Sequence, residues 1–172
     1  MDAAHYSATE TLRDGRTFLI RAHRPEDREG ILAAFGRASP WSMYLRFFAP
    51  KRMLSDRDAE YFLSVDFVDH IAILAVVEES GRPTVVGGAS YDLIAPGTAE
   101  ISFAIIDEYQ GQGIGGALMR HLANIGREAG LKEFVAEVLT ENAPMLKVFK
   151  GSGLPMTSKA EGQEIHVTLR LV

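Results

Sequence analysis

Ten residues, Asp107-Glu108-Tyr109-Gln110-Gly111-Gln112-Gly113-Ile114-Gly115-Gly116, carry the densest chemistry in the chain: four glycines in six positions, just ahead of an amphipathic stretch. Glycines leave main-chain N–H groups uncovered and let a ligand approach the backbone closely. A helix starting there adds the positive end of its dipole, and together these make a site for a phosphate or pyrophosphate. Glycine is also a poor helix former, so four at a helix start cost stability that a plain turn does not require. Gly111-x-Gly113-x-x-Gly116 satisfies a dinucleotide-binding spacing, with Glu137 about twenty residues later. Against an oxidoreductase of that kind, Asp107 to Gln110 separate the strand from the first glycine. The motif also follows what reads as an antiparallel meander, and too little chain follows Gly116 to complete a doubly wound sheet. A nucleotide-triphosphate loop is excluded because no Lys-Ser or Lys-Thr follows the glycines.

Other chemistry is sparse. Cysteine is absent, which removes disulfides, thiolate metal sites and a cysteine nucleophile. His5, His23, His70, His121 and His166 show no metal-ligand spacing, so no metal is expected. His121 falls on the apolar side of the helix after the glycines and reads as packed core. Trp41, Tyr44, Phe47 and Phe48 read first as core and second as a pocket wall, and Arg46 among them first as an exposed helix arginine and second as a partner for an acceptor carboxylate. The net charge of −5 gives no basic footprint for nucleic acid. No apolar run is long enough to span a bilayer and no secretory leader is visible, so a cytoplasmic location away from membranes is the expectation.

These residues must be positioned by a mixed set of elements. Thr17 to Arg21 alternates as a first strand, and helices start at Arg24-Pro25-Glu26-Asp27, at Ser39-Pro40 and at Ser55-Asp56-Arg57-Asp58. Ile71–Val77, Thr84–Leu93 and Glu100–Ile106 form three strands with short connections, and Gly87-Gly88 marks a bulge or close backbone approach. Gly113–Ala129 is a helix with Ile114, Leu118, His121, Leu122 and Ile125 on one face. Glu133–Leu139 is a strand and Ala143–Lys150 a short helix, with Asn142 placed to cap it. Met156–Leu171 reads as a closing hairpin through Glu161-Gly162. The whole chain, 1–172, is expected to be one α/β (α+β) domain, with a core of about 17–154 and closing strands at 156–171.

Gln110-x-x-Gly113-x-Gly115 resembles the glutamine/arginine-x-x-glycine-x-glycine/alanine signature of the GNAT (Gcn5-related N-acetyltransferase) superfamily, and the order of elements around it is similar over roughly Thr17 to Leu154. Tyr44-Leu45-Arg46-Phe47-Phe48, Leu54-Ser55-Asp56-Arg57-Asp58 and Leu139-Thr140-Glu141-Asn142 resemble the acetyltransferase domains of bacterial protein-lysine acetyltransferases, which are often fused to further domains. The resemblance implies a mostly antiparallel mixed sheet flanked by helices and splayed at the cofactor-binding strand. It implies acetyl-CoA as acyl donor and an amine acceptor, a protein lysine or a small amine. It also allows a homodimer.

By the same resemblance, the pyrophosphate would lie on the backbone of Gly111, Gln112, Gly113, Ile114, Gly115 and Gly116, with Gln110 as the motif glutamine. The pantetheine arm would pair with main chain at Ile105, Ile106 and Asp107 and contact Asn142. Glu100 matches the catalytic glutamate of lysine-acetylating relatives. It lies in phase with Ser102 and Ala104, where a half-buried carboxylate suits a general base. Phe149 stands where many relatives carry a tyrosine that protonates the departing thiolate, so here it would only pack against the acyl region. A catalytically silent acyl-CoA-binding module is therefore an alternative.

Overall fold

The structure is a computed structural model that describes residues 1–48 and 55–172. Leu54, one of the residues carrying the family resemblance, lies outside that range. The strands are β1 (Ser7–Thr11), β2 (Thr17–Ala22), β3 (His70–Glu79), β4 (Arg82–Ala95), β5 (Thr98–Ile105), β6 (Glu133–Leu139), β7 (Met156–Glu161) and β8 (Glu164–Arg170). The helices are α1 (Arg28–Gly36), α2 (Pro40–Phe47), α3 (Asp56–Leu63), α4 (Ile114–Glu128) and α5 (Ala143–Lys150). All eight strands form one sheet in the order β1-β2-β3-β4-β5-β6-β8-β7. Every neighbouring pair is antiparallel except β5 and β6. The expected meander and closing hairpin are both present. Strand β1 was not anticipated: its alternation carries only polar residues and alanine, and no apolar run announces it.

An antiparallel β4 beside β5 rules out the doubly wound parallel sheet that a dinucleotide oxidoreductase needs. The sheet register slips by one residue between Ala75 and Val76, beside Gly87. Both glycines expected at a close approach are needed there. A Cβ on Gly87 would stand 3.0 Å from the Ala104 carbonyl oxygen, and one on Gly88 would stand 3.1 Å from that of Ile73. Side chains alternate across the sheet, so neighbours in a strand report which helices cover which face. Tyr61 of α3 bonds to Asp92, whereas the ring of Tyr91 packs against Phe134 on the α4 side. A Cβ on Gly126 of α4 would fall 2.8 Å from Phe134, which presses this helix onto the sheet. Helix α4 buries Leu118, Leu122 and Ile125 as its periodicity requires.

Local signals start the shorter helices where they were expected. Ser39 Oγ accepts from the Ser42 amide at 3.1 Å, and Ser55 and Asp58 form a reciprocal capping box. Ahead of α1, Asp27 is 8% exposed and accepts two hydrogen bonds from Arg21, at 2.7 and 2.8 Å, and one from the Arg24 amide at 2.7 Å. Burial, the largest single influence, raises the Asp27 carboxyl; the bonds from Arg21 and Arg24 outweigh it and hold the group below the ordinary carboxylate value. A depressed folded value means that its stability is complete above the unfolded carboxylate range, near pH 4, and is lost as pH falls through the folded value. Asp27→Asn leaves the half-buried Arg21 guanidinium without its counter-charge and is expected to cost about 2 kcal/mol at pH 7. Denaturant unfolding of both proteins should show that difference shrinking as pH drops below about 4.

Candidate active site

Strands β5 and β6 pair only from Thr98↔Glu133 to Glu100↔Val135 and then part, although β5 runs on to Ile105 and β6 to Leu139. The parting opens a cleft of about 1120 Å³, large enough for an extended ligand. The expected splay is therefore present, and Glu100 stands on its last closed rung. Glu100 lines the cleft with an exposed carboxylate, which corrects the half-buried position expected for it. Ser102 and Ala104 share its face, as their spacing implied, and Ile101 and Phe103 are buried on the other.

The main chain along the opening departs from expectation. The Ile106 amide donates to the Val86 carbonyl at 3.0 Å and its side chain is 3% exposed, so Ile106 is turned toward β4 and the core. In a period-two strand, that geometry turns the main-chain groups of Phe103 and Ile105 toward the gap. Ile105 keeps its expected place, although its carbonyl accepts from Gln110 Nε2 at 2.9 Å. Asp107 is occupied internally: Oδ1 accepts from the Ser39 amide and Oδ2 from the Ser39 and Ser42 hydroxyls, at 2.8 to 3.0 Å. Burial raises its carboxyl most strongly of the single influences, and these bonds outweigh it and lower the group overall. Ile106 and Asp107 thus hold the turn and α2 in place, and Phe103 is the strand residue that sequence reading missed. Strand parity alone could have identified it.

At the glycine turn, Gly111 and Gly113 take positive φ values of 79° and 92°, and Gly113 is the residue before α4. A Cβ added to Gly111, Gly113 or Gly116 would meet no atom within 4 Å, so their main chain borders open space. That cradle fits a diphosphate resting on free N–H groups. Gly115 has a different role: a Cβ there would stand 3.1 Å from Val148 of α5 and 3.4 Å from Ile105, so its bareness lets α5 and β5 close on α4. Ile114 is 1% exposed and contributes main chain only. The side chain of Gln110 braces the turn back to Ile105 and Ser42. The Gln112 carbonyl accepts from the Arg13 amide at 3.1 Å, and its buried Oε1 has no partner among the described residues.

On the far wall, Asn142 Oδ1 caps α5 by accepting from the Met145 amide at 3.3 Å, as the capping reading expected, and the residue also lines the cleft. Phe149 is 1% exposed, with its ring edge-on to Phe103 at 6.0 Å. It fills the wall and has no proton to give.

The remaining aromatic residues divide. Trp41 is 53% exposed and stacks on Tyr44, which corrects its reading as core. Phe35, Phe47 and Phe62 do pack together, with Phe35 and Phe62 at 4.8 Å. Arg46 is half-buried in the cleft wall, not exposed, with its guanidinium 5.1 Å from the Phe47 ring centre and 5.3 Å from that of Phe62. Burial pulls its pKa below the ordinary value, against the pull of Tyr61, Asp58, Asp92 and Glu100. Asp92 lies directly across from Glu100 and accepts from the Tyr61 hydroxyl. His121 lies outside the cleft, where Nε2 meets Glu10 at 2.6 Å and Nδ1 meets the Tyr6 hydroxyl; it ties the first strands to α4. Among the described residues no cluster of three or more histidines and acids could hold a metal ion. No helix among them is long and apolar enough to cross a membrane.

Comparison with known proteins agrees with this geometry. Residues 27–154 match the family model described as the acetyltransferase (GNAT) family. Acetyltransferase PA5475 of Pseudomonas aeruginosa is 33% identical over 137 residues, covering 79% of this chain and 74% of that protein. Acetyltransferase Pat of Mycolicibacterium smegmatis is 33% identical over 149 residues, covering 83% of this chain but only 42% of that protein. The crystal structure of the GNAT domain of S. lividans PAT superposes with a TM-score of 0.86 at 33% identity, covering 95% of this chain and 96% of that one. The cradle of bare glycines, the parted strands and these likenesses agree: the chain belongs to the GNAT family, as an N-acetyltransferase that draws its acyl group from acetyl-CoA.

Proposed function

We propose that the cleft passes an acetyl group to a primary amine, that the acceptor is a lysine side chain of a protein, and that Glu100 is the general base. The observation that carries this reading is the position of Glu100: an exposed carboxylate on the last closed rung of β5 and β6, facing into the opening. Acetyl-CoA, when bound, supplies an acyl carbon already activated as a thioester. A lysine amine has a pKa of about 10.4 and is mostly protonated at neutral pH, so it needs a base before it can attack. Glu100 takes that proton. Two protons leave the ammonium nitrogen on the way to the amide: Glu100 passes the first to water, and the second, lost as the C–N bond forms and the C–S bond breaks, reaches the departing thiolate through Glu100 or water, because Phe149 cannot give one.

The surroundings support a cationic acceptor. Asp92 and Glu100 stand side by side, so two carboxylates with Arg46 within their electrostatic reach mark the acceptor end of the cleft. In this reading Gly111 to Gly116 hold the pyrophosphate, Phe103 and Ile105 offer main chain to the pantetheine, Asn142 stands beside that arm and Phe149 packs under the acyl group. Resemblance to bacterial protein acetyltransferases favours a protein lysine over a free small amine. The test is mass spectrometry of a panel incubated with acetyl-CoA: a lysine peptide with its α-amine blocked, the same peptide with its ε-amine dimethylated, and a small polyamine. Acetyl gain on the ε-amine alone is the expected result. Acetylation confined to the polyamine would overturn the protein acceptor.

A further inference from the structure

We propose that Arg13 and Lys147 form a subsite for the 3′-phosphate of coenzyme A, at the mouth of the cleft on either side of the glycine turn. The proposal rests on the assignment of acetyl-CoA to this cleft. Near the turn most cations are committed: Arg16 to Asp14 at 2.9 Å, Arg37 to Glu79 at 2.8 Å and to Glu108 at 2.9 Å, and Arg120 to Glu10 at 3.2 Å. Arg46 lies against its two rings on the acceptor side. Arg13 and Lys147 also line the cleft, are exposed, and make no side-chain hydrogen bond or ion pair among the described residues.

Both are held in place by their backbones. The turn between β1 and β2 is anchored by Leu12, 2% exposed, whose amide donates to the Arg16 carbonyl at 2.7 Å. The Arg13 amide then donates to the Gln112 carbonyl at 3.1 Å, which fixes this turn against the glycine turn. Lys147 lies on α5 next to Val148, the side chain that closes on Gly115. Arg13 is thus tied to the turn at Gln112 and Lys147 belongs to the helix packed on Gly115, so the two reach the cleft from different ends of the main chain assigned to the pyrophosphate. The carboxylates nearest the turn are already committed, Asp107 to serines and Glu108 to Arg37.

The two kinds of phosphate in coenzyme A need different partners. The pyrophosphate is a diester, and free N–H groups with a helix dipole suffice for it. The 3′-phosphate is a monoester of about −1.5 to −2 charge with three strong acceptor oxygens, and side-chain cations match it best. On a chain of net charge −5, uncommitted cations at the mouth also offset the repulsion that so anionic a ligand would meet.

Calorimetric titration of wild-type protein, Arg13→Ala, Lys147→Ala and Lys150→Ala with coenzyme A and with dephospho-coenzyme A tests this. Lys150 is exposed on the same helix but does not line the cleft, so it controls for general charge. Wild type should prefer coenzyme A by about tenfold or more. Arg13→Ala and Lys147→Ala should each lose about fivefold in affinity for coenzyme A while holding dephospho-coenzyme A within about twofold. Lys150→Ala should match wild type. Equal affinity of wild type for the two ligands would overturn the subsite. So would an equal loss of both ligands in the two variants, which would place the cations on the pyrophosphate. Failure of every protein to bind either ligand would instead overturn the cofactor assignment.

Discussion

Glu100→Gln is expected to lower kcat/KM for acetyl transfer by about 10²- to 10³-fold, the contribution of a positioned general base, while the Kd for acetyl-CoA stays within about twofold. The substitution keeps the shape of the side chain and removes only its ability to take a proton. Glu100 is exposed and makes no hydrogen bond or ion pair among the described residues, so the fold should change by no more than about 0.5 kcal/mol. The cofactor is assigned to the glycine turn and to the main chain further along β5, which explains why its affinity should not follow the loss of rate. Loss of rate with unchanged binding separates a catalyst from a module that only holds acyl-CoA. An active Glu100→Gln protein would mean that the amine arrives deprotonated or gives its proton to water, and Glu100 would leave the mechanism.

Gly113→Asp should abolish acetyl-CoA binding, by about 100-fold or more. Two effects act together. Gly113 has a φ of 92°, in the left-handed region, where a side chain costs about 1 to 2 kcal/mol. The larger effect is charge, since the new carboxylate would project into the open cradle at the head of α4 and occupy the place of a diphosphate. Gly113→Ala separates the two: it carries the backbone strain without the charge and should weaken binding by roughly tenfold at most. Both variants should unfold cooperatively with only a modest fall in Tm, because nothing lies within 4 Å of the added Cβ. If Asp and Ala weaken binding equally, strain and not anion repulsion is the cause, and the cradle assignment falls.

The glycine turn, the helix behind it and the capped helix at Asn142 were legible because each rests on local rules: glycine conformation, helical period and capping. The meander was legible by period two. What the sequence did not disclose depends on contacts between distant elements. Arg46 read as an exposed helix residue because α2 alone does not reveal that Phe62, sixteen positions later, folds back beside it. The main chain of Ile106 was expected to pair with the cofactor, yet its amide donates to Val86, and the hold of the Asp107 carboxylate on Ser39 and Ser42 is a contact between distant elements that no local pattern announces. Strand β1 carried only polar residues and alanine, and edge position rather than apolar content defines it. The half-buried setting expected for Glu100 failed for a related reason: the parting of β5 from β6 begins at its own rung and exposes it.

Stopped-flow detection of thiol release, with the protein in excess over acetyl-CoA and an α-blocked lysine peptide, follows acetyl transfer through Glu100 in a single turnover. The chain contains no cysteine, so every thiol detected belongs to released coenzyme A. One thiol per acetylated ε-amine is expected, at a rate that requires the peptide and collapses in Glu100→Gln. Thiol release that ignores the peptide, or acetyl-lysine formed as fast by Glu100→Gln as by wild type, would contradict that mechanism.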